Sequence, residues 1–458
     1  MADTLKASPH GLELIDRARR RLGWNKTSPV WLDKANVSQA TLNRFWKPTS
    51  IRRECFISIC DAVGVDWQVI AEMPEIDPNA LDAIPDLDCS GMRWVGREGA
   101  IATLLTQLKG DCRLVSVVGI SGIGKTALAA RLMVEPQLTQ TLREQIAVNF
   151  DCESPSFAMV ARSLLSETTA ETEELQRDPA LLVGSAITRL REKPCLLVLD
   201  MVEVLLEPDG EGGHRFKESI FEQFLTGFLR SNGMMSRIII TSQYQLPVLA
   251  EGRYLARSHQ CRLSGLDPSN ALKLFQKWEV SPRSEIEQQY LERAIAVYEG
   301  HPLALRAIAG EILAFPYHSN ISLYWSEFGA EIEAVEKMKQ AADPDGRDDQ
   351  PKIDRYSLTL RDLVKKRIET TFERLYQAYP LAGILLCMGA VSRHPLERQG
   401  WLTLIFDSPE EDQQKAFDTL LRRFFLEPEI IGNQRLGYRL HSLIRCVALD
   451  YLPQLEEE

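Results

Sequence analysis

The sequence predicts a multidomain α/β plus α protein, in which a parallel-sheet domain stands between two helical regions. Three observations support this. Apolar runs typical of buried strands alternate with helical stretches in mid-chain, a Gly-rich loop follows the first run, and strand-like segments stop near Leu266. Such alternation is typical of a parallel sheet covered by helices on both faces. Because 458 residues exceed one ordinary core, we expect several domains.

The composition is that of an ordinary globular protein, with 45% hydrophobic and 26% charged residues. No apolar run approaches the roughly 20 residues that cross a bilayer, so no membrane partner is expected. The start, "MADTLKASPHGLEL", lacks the basic and apolar pattern of a secretory signal. The nine cysteines are scattered without a CxxC pair, which favours reduced thiols. Together these features predict a cytoplasmic location.

The charge is uneven along the chain. Residues 1–71 carry 11 Lys and Arg against 7 Asp and Glu, a balance of +4. Since the whole chain carries −11, residues 72–458 carry −15. A modestly basic head on an acidic body suggests that the two parts have different partners.

Residues 1–71 predict a small bundle of short helices. Within "WLDKANVSQATLNRFWK", a tight turn at Asn36-Val37 separates two helices, and Ser38 is the expected N-cap of the second helix. Asn36 suits the left-handed backbone that such a turn needs. This arrangement resembles the helix-turn-helix domains of phage repressors.

Composition also sets the boundaries of the other parts. Acidic segments containing Pro form a linker at 72–93 and a loop at 341–357. Helices followed by a hairpin near Gly432-Asn433 and a last helix from His441 predict a winged helix. The predicted domains are a helix-turn-helix-like head (1–71), a P-loop domain (94–265), a helical domain (266–340) and a winged-helix domain (358–458). The predicted strands are Leu114–Val118, Ile146–Phe150, Cys195–Leu199, Ile238–Thr241 and Cys261–Leu263.

The stretch "VVGISGIGKTALAA" fits the phosphate-binding pattern G-x-x-x-x-G-K-[ST]. Glycines let the backbone curl around a polyphosphate with several amides pointing inward, and the following helix directs its positive end at the phosphates. Lys125 supplies a charge for the β- and γ-phosphates, and Thr126 supplies a hydroxyl for Mg²⁺. The predicted nucleotide-binding residues of this loop are Gly119, Gly122, Ile123, Gly124, Lys125, Thr126 and Ala127.

Asp200 ends the apolar run "CLLVLD" and is the natural partner of this loop, holding Mg²⁺ directly or through water. The predicted metal ligands are Thr126 and Asp200, and the predicted catalytic residues are Lys125 and Asp200. "RIIITSQ" predicts a further strand whose end places polar side chains beside the γ-phosphate. Its candidates are Thr241, Ser242 and Gln243, with Ser242 assigned to nucleotide binding and a simple strand-end cap as the alternative.

A series of motifs resembles the NB-ARC module of the STAND class of signal-transduction ATPases, in particular its bacterial, cyanobacterial-like members. They are "WVGRE" (94–98), "GISGIGKTALA" (119–129), "LLVLDMVE" (196–203), "SRIIITSQ" (236–243), "EGHPLALRAIAGE" (299–311) and "YRLHSL" (438–443). The P-loop is generic to many NTPases, whereas its combination with the G-h-P and L-H-x motifs makes the match specific. The resemblance implies a P-loop parallel-sheet NTPase core, a helical lid domain and a C-terminal winged helix, here preceded by a small all-α helix-turn-helix-like domain.

The resemblance assigns further residues to the nucleotide. Val95 and Arg97 would line the adenine side, and Pro302 would pack by the adenine from the first turn of a helix. His441 would reach the ADP β-phosphate from the winged helix and lock the closed state. His301 stands where the family usually has leucine, and we assign it no role. From the residues alone, the segment around Pro302 is also a helix stop and restart.

The chain departs from the family at three positions near the phosphates. Met201 replaces a second acid at the strand end, Gln243 replaces an arginine of the sensor strand, and Ser442 stands where aspartate is common. Without that acid and that cation, the site suits holding nucleotide better than cutting it fast. We expect Glu203 to be a solvated residue at a helix edge, with orientation of water as the alternative.

The resemblance implies a nucleotide-dependent switch that binds ADP and ATP with Mg²⁺, hydrolyses ATP slowly, and opens and self-associates in the ATP state during signal transduction. An alternative is a nucleotide-gated transcription regulator whose residues 1–71 bind DNA through Gln39, Asn43 and Arg44. The modest charge of this head also leaves a protein-protein adaptor open. An AAA-type DNA remodeller is disfavoured, because that class carries a lid arginine where this chain has "GHPLAL".

Overall fold

The computed structural model describes residues 4–7, 9–47, 49, 51–63, 65, 70, 94–165, 178–210, 213–249, 254–342, 352–431 and 435–455. The chain forms two compact units. The first consists of residues 1–83 and 431–435, and the second of residues 84–430 and 436–458. Within the described ranges, no helix is both long enough and apolar enough to cross a membrane.

The first unit contains short helices around an aromatic core. Its elements are β1 (Thr4–Leu5), α1 (Pro9–Arg21), α2 (Pro29–Lys34), α3 (Gln39–Trp46), β2 (Ile51–Arg52) and α4 (Arg53–Ala62). The predicted turn is present: Asn36 has a φ of 50°, and the Ser38 side chain accepts a hydrogen bond of 3.2 Å from the amide of Thr41. Trp31 is fully buried and its Nε1 donates to the carbonyl of Ile59 at 3.1 Å.

The antiparallel pair of β1 and β2 was not predicted, because strands of two residues leave no periodic signal. The helix-turn-helix class of the head stays a prediction. The predicted linker at 72–93 lies outside the described residues.

The second unit begins with a parallel sheet. Its elements up to residue 262 are α5 (Glu98–Lys109), β3 (Leu114–Val118), α6 (Lys125–Met133), α7 (Pro136–Thr139), β4 (Glu144–Asn149), α8 (Phe157–Leu165), α9 (Pro179–Glu192), β5 (Cys195–Asp200), β6 (Leu206–Pro208), β7 (His214–Phe216), α10 (Ser219–Arg230), β8 (Arg237–Ser242) and β9 (Ser258–Arg262). Five strands pair in the order β4-β5-β8-β3-β9, and every pair is parallel. The predicted parallel α/β core with its P-loop is confirmed.

The inner strand β5 is apolar up to its last residue because both of its faces are covered. In β5, Leu197 and Leu199 pack into a core that includes Phe224 of α10, whereas Leu196 packs into a second core with Leu128 of α6. Parallel strands place their carboxyl ends at one edge of the sheet, so the ends of β3, β5 and β8 lie together. The short antiparallel pair β6–β7 was not predicted.

Helices follow the sheet, as predicted. They are α11 (Pro268–Lys277), α12 (Glu285–Val297), α13 (Pro302–Leu313) and α14 (Ile321–Ala342). Asp267 caps α11 by accepting a hydrogen bond of 3.0 Å from the amide of Asn270. Gly300, with a φ of 66°, separates α12 from α13 and allows the second helix to start at Pro302.

The C-terminal part combines helices with a small sheet of order β10-β12-β11. Its elements are α15 (Lys352–Ala378), α16 (Pro380–Ala390), β10 (Leu396–Glu397), α17 (Arg398–Thr403), α18 (Glu410–Arg422), β11 (Leu426–Ile431), β12 (Arg435–Leu440) and α19 (Ser442–Leu455). The expected turn at Gly432-Asn433 lies outside the described residues. The winged-helix class stays a prediction.

The acidic loop predicted at 341–357 is wrong at both ends. Helix α14 continues through Ala342, and α15 already begins at Lys352, while residues 343–351 lie outside the described residues. Composition misled here because burial further along α15 overrides local preference: Leu363 and Val364 pack into the core of the helices that follow the sheet.

Candidate phosphate-binding site

The loop after β3 has the shape that a phosphate cradle requires. Gly122 and Gly124 have φ angles of 77° and 99°, which favour glycine. Space also demands glycine, since a Cβ on Gly122 would lie 2.7 Å from the Leu303 side chain and a Cβ on Gly119 would lie 2.9 Å from the carbonyl of Leu263. The chain therefore curls tightly from Gly119 into α6, with the helix start facing the concave side.

Lys125 lies buried at the base of this loop. Its Nζ donates to the carbonyl of Gly119 at 2.9 Å and to that of Ile120 at 3.1 Å. Burial lowers the pKa of Lys125, whereas the carboxylates of Glu203 and Asp200 act in the opposite direction. The lysine is thus held where a polyphosphate inside the loop would meet its charge.

Asp200 stands at the centre of a polar cluster at the carboxyl edge of the sheet. Its carboxylate accepts hydrogen bonds from Thr126 Oγ1 at 2.9 and 3.1 Å, from Asn149 Nδ2 at 3.2 Å, and from Thr241 Oγ1. Thr126 and Thr241 were predicted for this region. Asn149 was missed, although its place at the end of a strand beside β5 was a usable signal.

Thr126 and Asp200 supply the oxygen donors that Mg²⁺ prefers. Among the described residues, no group of three or more His, Cys, Asp or Glu side chains could hold a metal ion. An ion between Thr126 and Asp200 would therefore complete its shell with phosphate oxygens and water, as is usual for Mg²⁺ in nucleotide sites. The two predicted metal ligands fit this role and lie within hydrogen-bond distance of one another.

The expectation of a solvated Glu203 is wrong. Glu203 is half-buried in a 3₁₀ turn over Val202–Leu205; its Oε1 accepts from Gln243 Nε2 at 3.0 Å, and its buried Oε2 has no hydrogen-bond partner among the described residues. Burial raises the pKa of Glu203, against the attraction of Lys125. The cause is local: Met201 has a φ of 61°, and this left-handed turn brings Glu203 back toward the sheet edge.

Ser242 joins β8 to the loop through its backbone. Its carbonyl accepts from the amide of Gly119 at 3.2 Å, and its buried Oγ accepts from the amide of Tyr244 at 3.1 Å. These bonds match the strand-end cap that was the alternative for this residue. A nucleotide contact by Ser242 stays a prediction.

The segment around Val95 and Arg97 lies against the P-loop. Arg97 donates from Nη2 to the carbonyl of Ile123 at 3.1 Å and from Nη1 to the carbonyls of Ser264 and Gly265. Burial lowers the pKa of Arg97. Val95 is half-buried beside it. The Arg97 guanidinium thus donates its hydrogen bonds to backbone carbonyls. The contacts of Val95 and Arg97 with adenine stay predictions.

His301 and Pro302 bring the first turn of α13 to the same loop. Pro302 is the first residue of the helix, and its adenine contact stays a prediction. The imidazole of His301 is fully buried, with Nε2 at 3.0 Å from the carbonyl of Ser121. No role had been assigned to this histidine.

His441 closes the site from the C-terminal side. It is half-buried, and its Nδ1 accepts from the amide of Leu443 at 3.1 Å. Burial lowers its pKa, opposed by Glu427 and reinforced by Arg306 and Lys125. The Oγ of the following Ser442 lies 3.4 Å from the Oγ of Ser121 in the P-loop. Side chains from the sheet, from α13 and from the C-terminal part therefore meet at one loop.

The family comparison agrees with this geometry. Residues 90–246 match the family model described as Novel STAND NTPase 1. This part of the chain is similar to a STAND NTPase domain. The match confirms the class that the motif series predicted and covers four of the five strands of the sheet, with the P-loop, Asp200 and Gln243.

Other proteins are similar to this chain over longer stretches. It is 26% identical over 359 residues to an uncharacterised WD repeat-containing protein, alr2800, of Nostoc sp., covering 68% of this chain but 28% of the relative. A STAND protein with a tetratricopeptide repeat sensor from Pyrococcus horikoshii aligns with a TM-score of 0.47 at 16% identity, covering 78% of this chain and 42% of that chain. The Walker-type ATPase of Pyrococcus abyssi aligns with a TM-score of 0.35 at 14% identity, covering 80% and 99%. Such structural similarities carry no functional argument.

Proposed function

We propose that the protein is a nucleotide-dependent switch of the STAND class, which binds ADP and ATP with Mg²⁺ and hydrolyses ATP slowly. The observation that carries this proposal is the convergence at the P-loop: His301 of α13 and Ser442 after β12 both contact Ser121. A nucleotide in this loop therefore touches the same turn that the lid helix and the C-terminal part touch. A nucleotide bound in the loop can therefore shift the positions of the lid helix and of the C-terminal part.

The switch follows from unequal affinity of the two nucleotides for two arrangements of these parts. A ligand shifts a conformational equilibrium only by its differential affinity for the two states. In our proposal ADP favours the closed arrangement, in which His441 faces the β-phosphate, and ATP favours an open arrangement that self-associates. Lys125 neutralises phosphate charge, and Thr126 with Asp200 holds Mg²⁺, which stabilises charge on the phosphates.

Slow hydrolysis follows from the groups around Asp200. Met201 offers no carboxylate and Gln243 offers no cation. The candidate that remains for orienting water is Glu203, whose buried Oε2 has no hydrogen-bond partner among the described residues. Burial raises the pKa of this carboxyl, which makes its ionised form a stronger base than an ordinary glutamate, so slow turnover in our proposal rests on the missing second carboxylate and cation and not on Glu203. In our proposal, ATP therefore stays bound for a long time before it is hydrolysed.

The domain boundaries form part of this proposal. We assign 94–265 to the nucleotide-binding domain, 266–340 to a helical lid and 358–458 to a winged helix, with the head at 1–71 as an effector or adaptor. The alternative of a nucleotide-gated DNA-binding regulator gains no support from the comparisons, so we do not propose it.

Nucleotide content and turnover test the proposal directly. The purified chain is denatured, released nucleotide is identified by chromatography, and ADP is titrated calorimetrically with Mg²⁺ into nucleotide-depleted protein. We expect ADP to co-purify and ATP turnover to stay well below the order of 10 s⁻¹ of metabolic enzymes. Lys125→Ala is the control and should bind at least about tenfold more weakly. Absent binding, or turnover near that of metabolic enzymes, would overturn the proposal.

A further inference from the structure

The imidazole of His301 has a defined tautomer. Nδ1 lies 3.4 Å from the amide nitrogen of Ala304, and Nε2 lies 3.0 Å from the carbonyl oxygen of Ser121. An amide N–H can only donate and a carbonyl oxygen can only accept. Nδ1 is therefore the acceptor that caps α13, and the ring proton sits on Nε2, which donates to the P-loop. One buried side chain thus serves the start of the lid helix and the phosphate loop at the same time.

The contact with Ser121 fixes a peptide group. In a trans peptide the carbonyl oxygen and the following N–H point to opposite sides of the chain. With the oxygen of Ser121 held toward α13, the amide of Gly122 is turned away from α13, toward the concave side of the loop. Arg97 acts in the same way two peptides further on, because it holds the carbonyl of Ile123 and so turns the amide of Gly124 away from the guanidinium.

A second contact at the same turn comes from packing. A Cβ built on Gly122 would lie 2.7 Å from Leu303 and 3.0 Å from Cε1 of His301. The first turn of α13 therefore covers this glycine so closely that no side chain fits between them. The conformation of the loop at Gly122 and the position of the lid helix are geometrically coupled.

We propose that His301 is a positioning residue for the phosphate site: it holds the Ser121 carbonyl, orients the Gly122 amide toward the phosphates, and couples nucleotide release to movement of the lid. This inference rests on the proposed function. When α13 moves away, the Ser121–Gly122 peptide loses its anchor and can rotate, so the loop holds phosphate less tightly. Conversely, bound phosphate keeps that peptide in place and favours the closed lid.

Substitutions at His301 can separate capping from positioning. Asparagine caps helices well but is too short to reach Ser121, whereas glutamine carries an amide donor at a reach similar to that of Nε2 and caps poorly. Ser284→Ala is the matched control, because Ser284 caps the neighbouring α12 through the amide of Glu287 at 3.2 Å and no contact of its side chain with the P-loop is seen among the described residues.

Release of a fluorescent ADP analogue is followed by stopped flow for each variant, with thermal unfolding measured in parallel. We expect His301→Asn to release ADP about tenfold faster at nearly unchanged stability, the size of one lost hydrogen bond. His301→Gln should release it within about threefold of the wild type although it unfolds earlier, and Ser284→Ala should lose stability without faster release. Wild-type release rates in His301→Asn, or equally fast release in the Asn and Gln variants, would overturn the inference. Failure of the wild type to bind ADP would instead overturn the proposed function.

Discussion

Nε2 of Gln243 lies 3.0 Å from Oε1 of Glu203, at the sheet edge where Asp200 ends its strand. This pair leaves the second oxygen of Glu203 buried without a hydrogen-bond partner among the described residues. A buried carboxylate oxygen without a partner is costly unless water or a ligand satisfies it. Gln243, which stands where the family resemblance places an arginine, thus positions the carboxylate that we propose to orient water.

Glu203→Gln tests that role. We expect ATP turnover to fall by about 10- to 100-fold, since the amide can no longer accept a proton from water. ADP affinity should change by less than about threefold, because the binding groups of the P-loop are untouched. Turnover and calorimetric binding are measured on the same preparation. If turnover is unchanged, Glu203 does not orient the water.

Met201→Asp tests whether a second carboxylate next to Asp200 limits hydrolysis. Met201 has a φ of 61°, which Asp and Asn tolerate better than other residues, so the backbone should accept the change. We expect turnover to rise at least several-fold, and at most by the roughly 10²–10⁴-fold that general base catalysis contributes. Met201→Asn is the isosteric control and should not accelerate the reaction. Equal rates in the Asp and Asn variants would show that the carboxylate at this position is not limiting.

Glu427→Gln tests the link between the lid helix and the C-terminal sheet. Oε1 of Glu427 accepts from Arg306 Nη1 at 3.0 Å, and the two side chains are 22% and 11% exposed. We expect the free energy of unfolding to fall by about 1–3 kcal/mol, less than for a fully buried pair. ADP release should also accelerate, because the pair joins α13 to β11 beside His441.

An exposed pair of the same part of the chain provides the control. Arg398 and Asp418 lie 2.8 Å apart with side chains 46% and 42% exposed. Asp418→Asn should cost at most about 1 kcal/mol and leave ADP release unchanged. Denaturant titrations give both free energies. Equal losses in Glu427→Gln and Asp418→Asn would contradict a special role for the buried pair.

Two histidines at the P-loop predict a pH dependence of stability. Burial lowers the pKa of His301 to about 3, and the charges of His441, Lys125 and Arg97 act in the same direction. Burial also lowers the pKa of His441, against the attraction of Glu427. Unfolded histidines titrate near 6.5, so below that pH the unfolded chain binds protons that the folded chain does not.

The nucleotide-free protein should therefore keep this stability above about pH 6.5 and lose it as the pH falls. His301 alone should contribute a loss of about 1.4 kcal/mol at about pH 5.5, and His441 acts in the same direction. Denaturant unfolding at constant ionic strength between about pH 7.5 and 5.5 gives the slope. His301→Asn should have a shallower slope than the wild type. A slope that the substitution leaves unchanged would show that His301 does not contribute.

Local signals in the sequence were enough to predict the central sheet, the Gly-rich loop and the strand that ends at Asp200. The G-x-x-x-x-G-K-T loop, the strand before Asp200 and the cap at Ser38 each depend on neighbours in the chain, so short patterns specify them. Asp200 was predicted as the partner of this loop because it is an acid at the end of an apolar strand that follows a P-loop.

Left-handed turns at unusual residues and contacts between segments far apart in the chain could not be predicted from such short patterns. Glu203 faces inward because Met201 adopts a left-handed conformation that no local pattern requires of methionine. His301 reaches Ser121, and Arg306 reaches Glu427, across more than 100 residues of chain. Helix α15 is stabilised further along by the packing of Leu363 and Val364, which composition does not reveal.

Molar mass in two nucleotide states tests the switch most directly. The wild-type chain is analysed by size-exclusion chromatography with light scattering, once with Mg²⁺ and ADP and once with Mg²⁺ and a non-hydrolysable ATP analogue. We predict one compact species with ADP and a larger assembly with the ATP analogue, while Lys125→Ala keeps the same mass in both. The same mass and elution volume for the wild type in both nucleotides would contradict a nucleotide-driven switch.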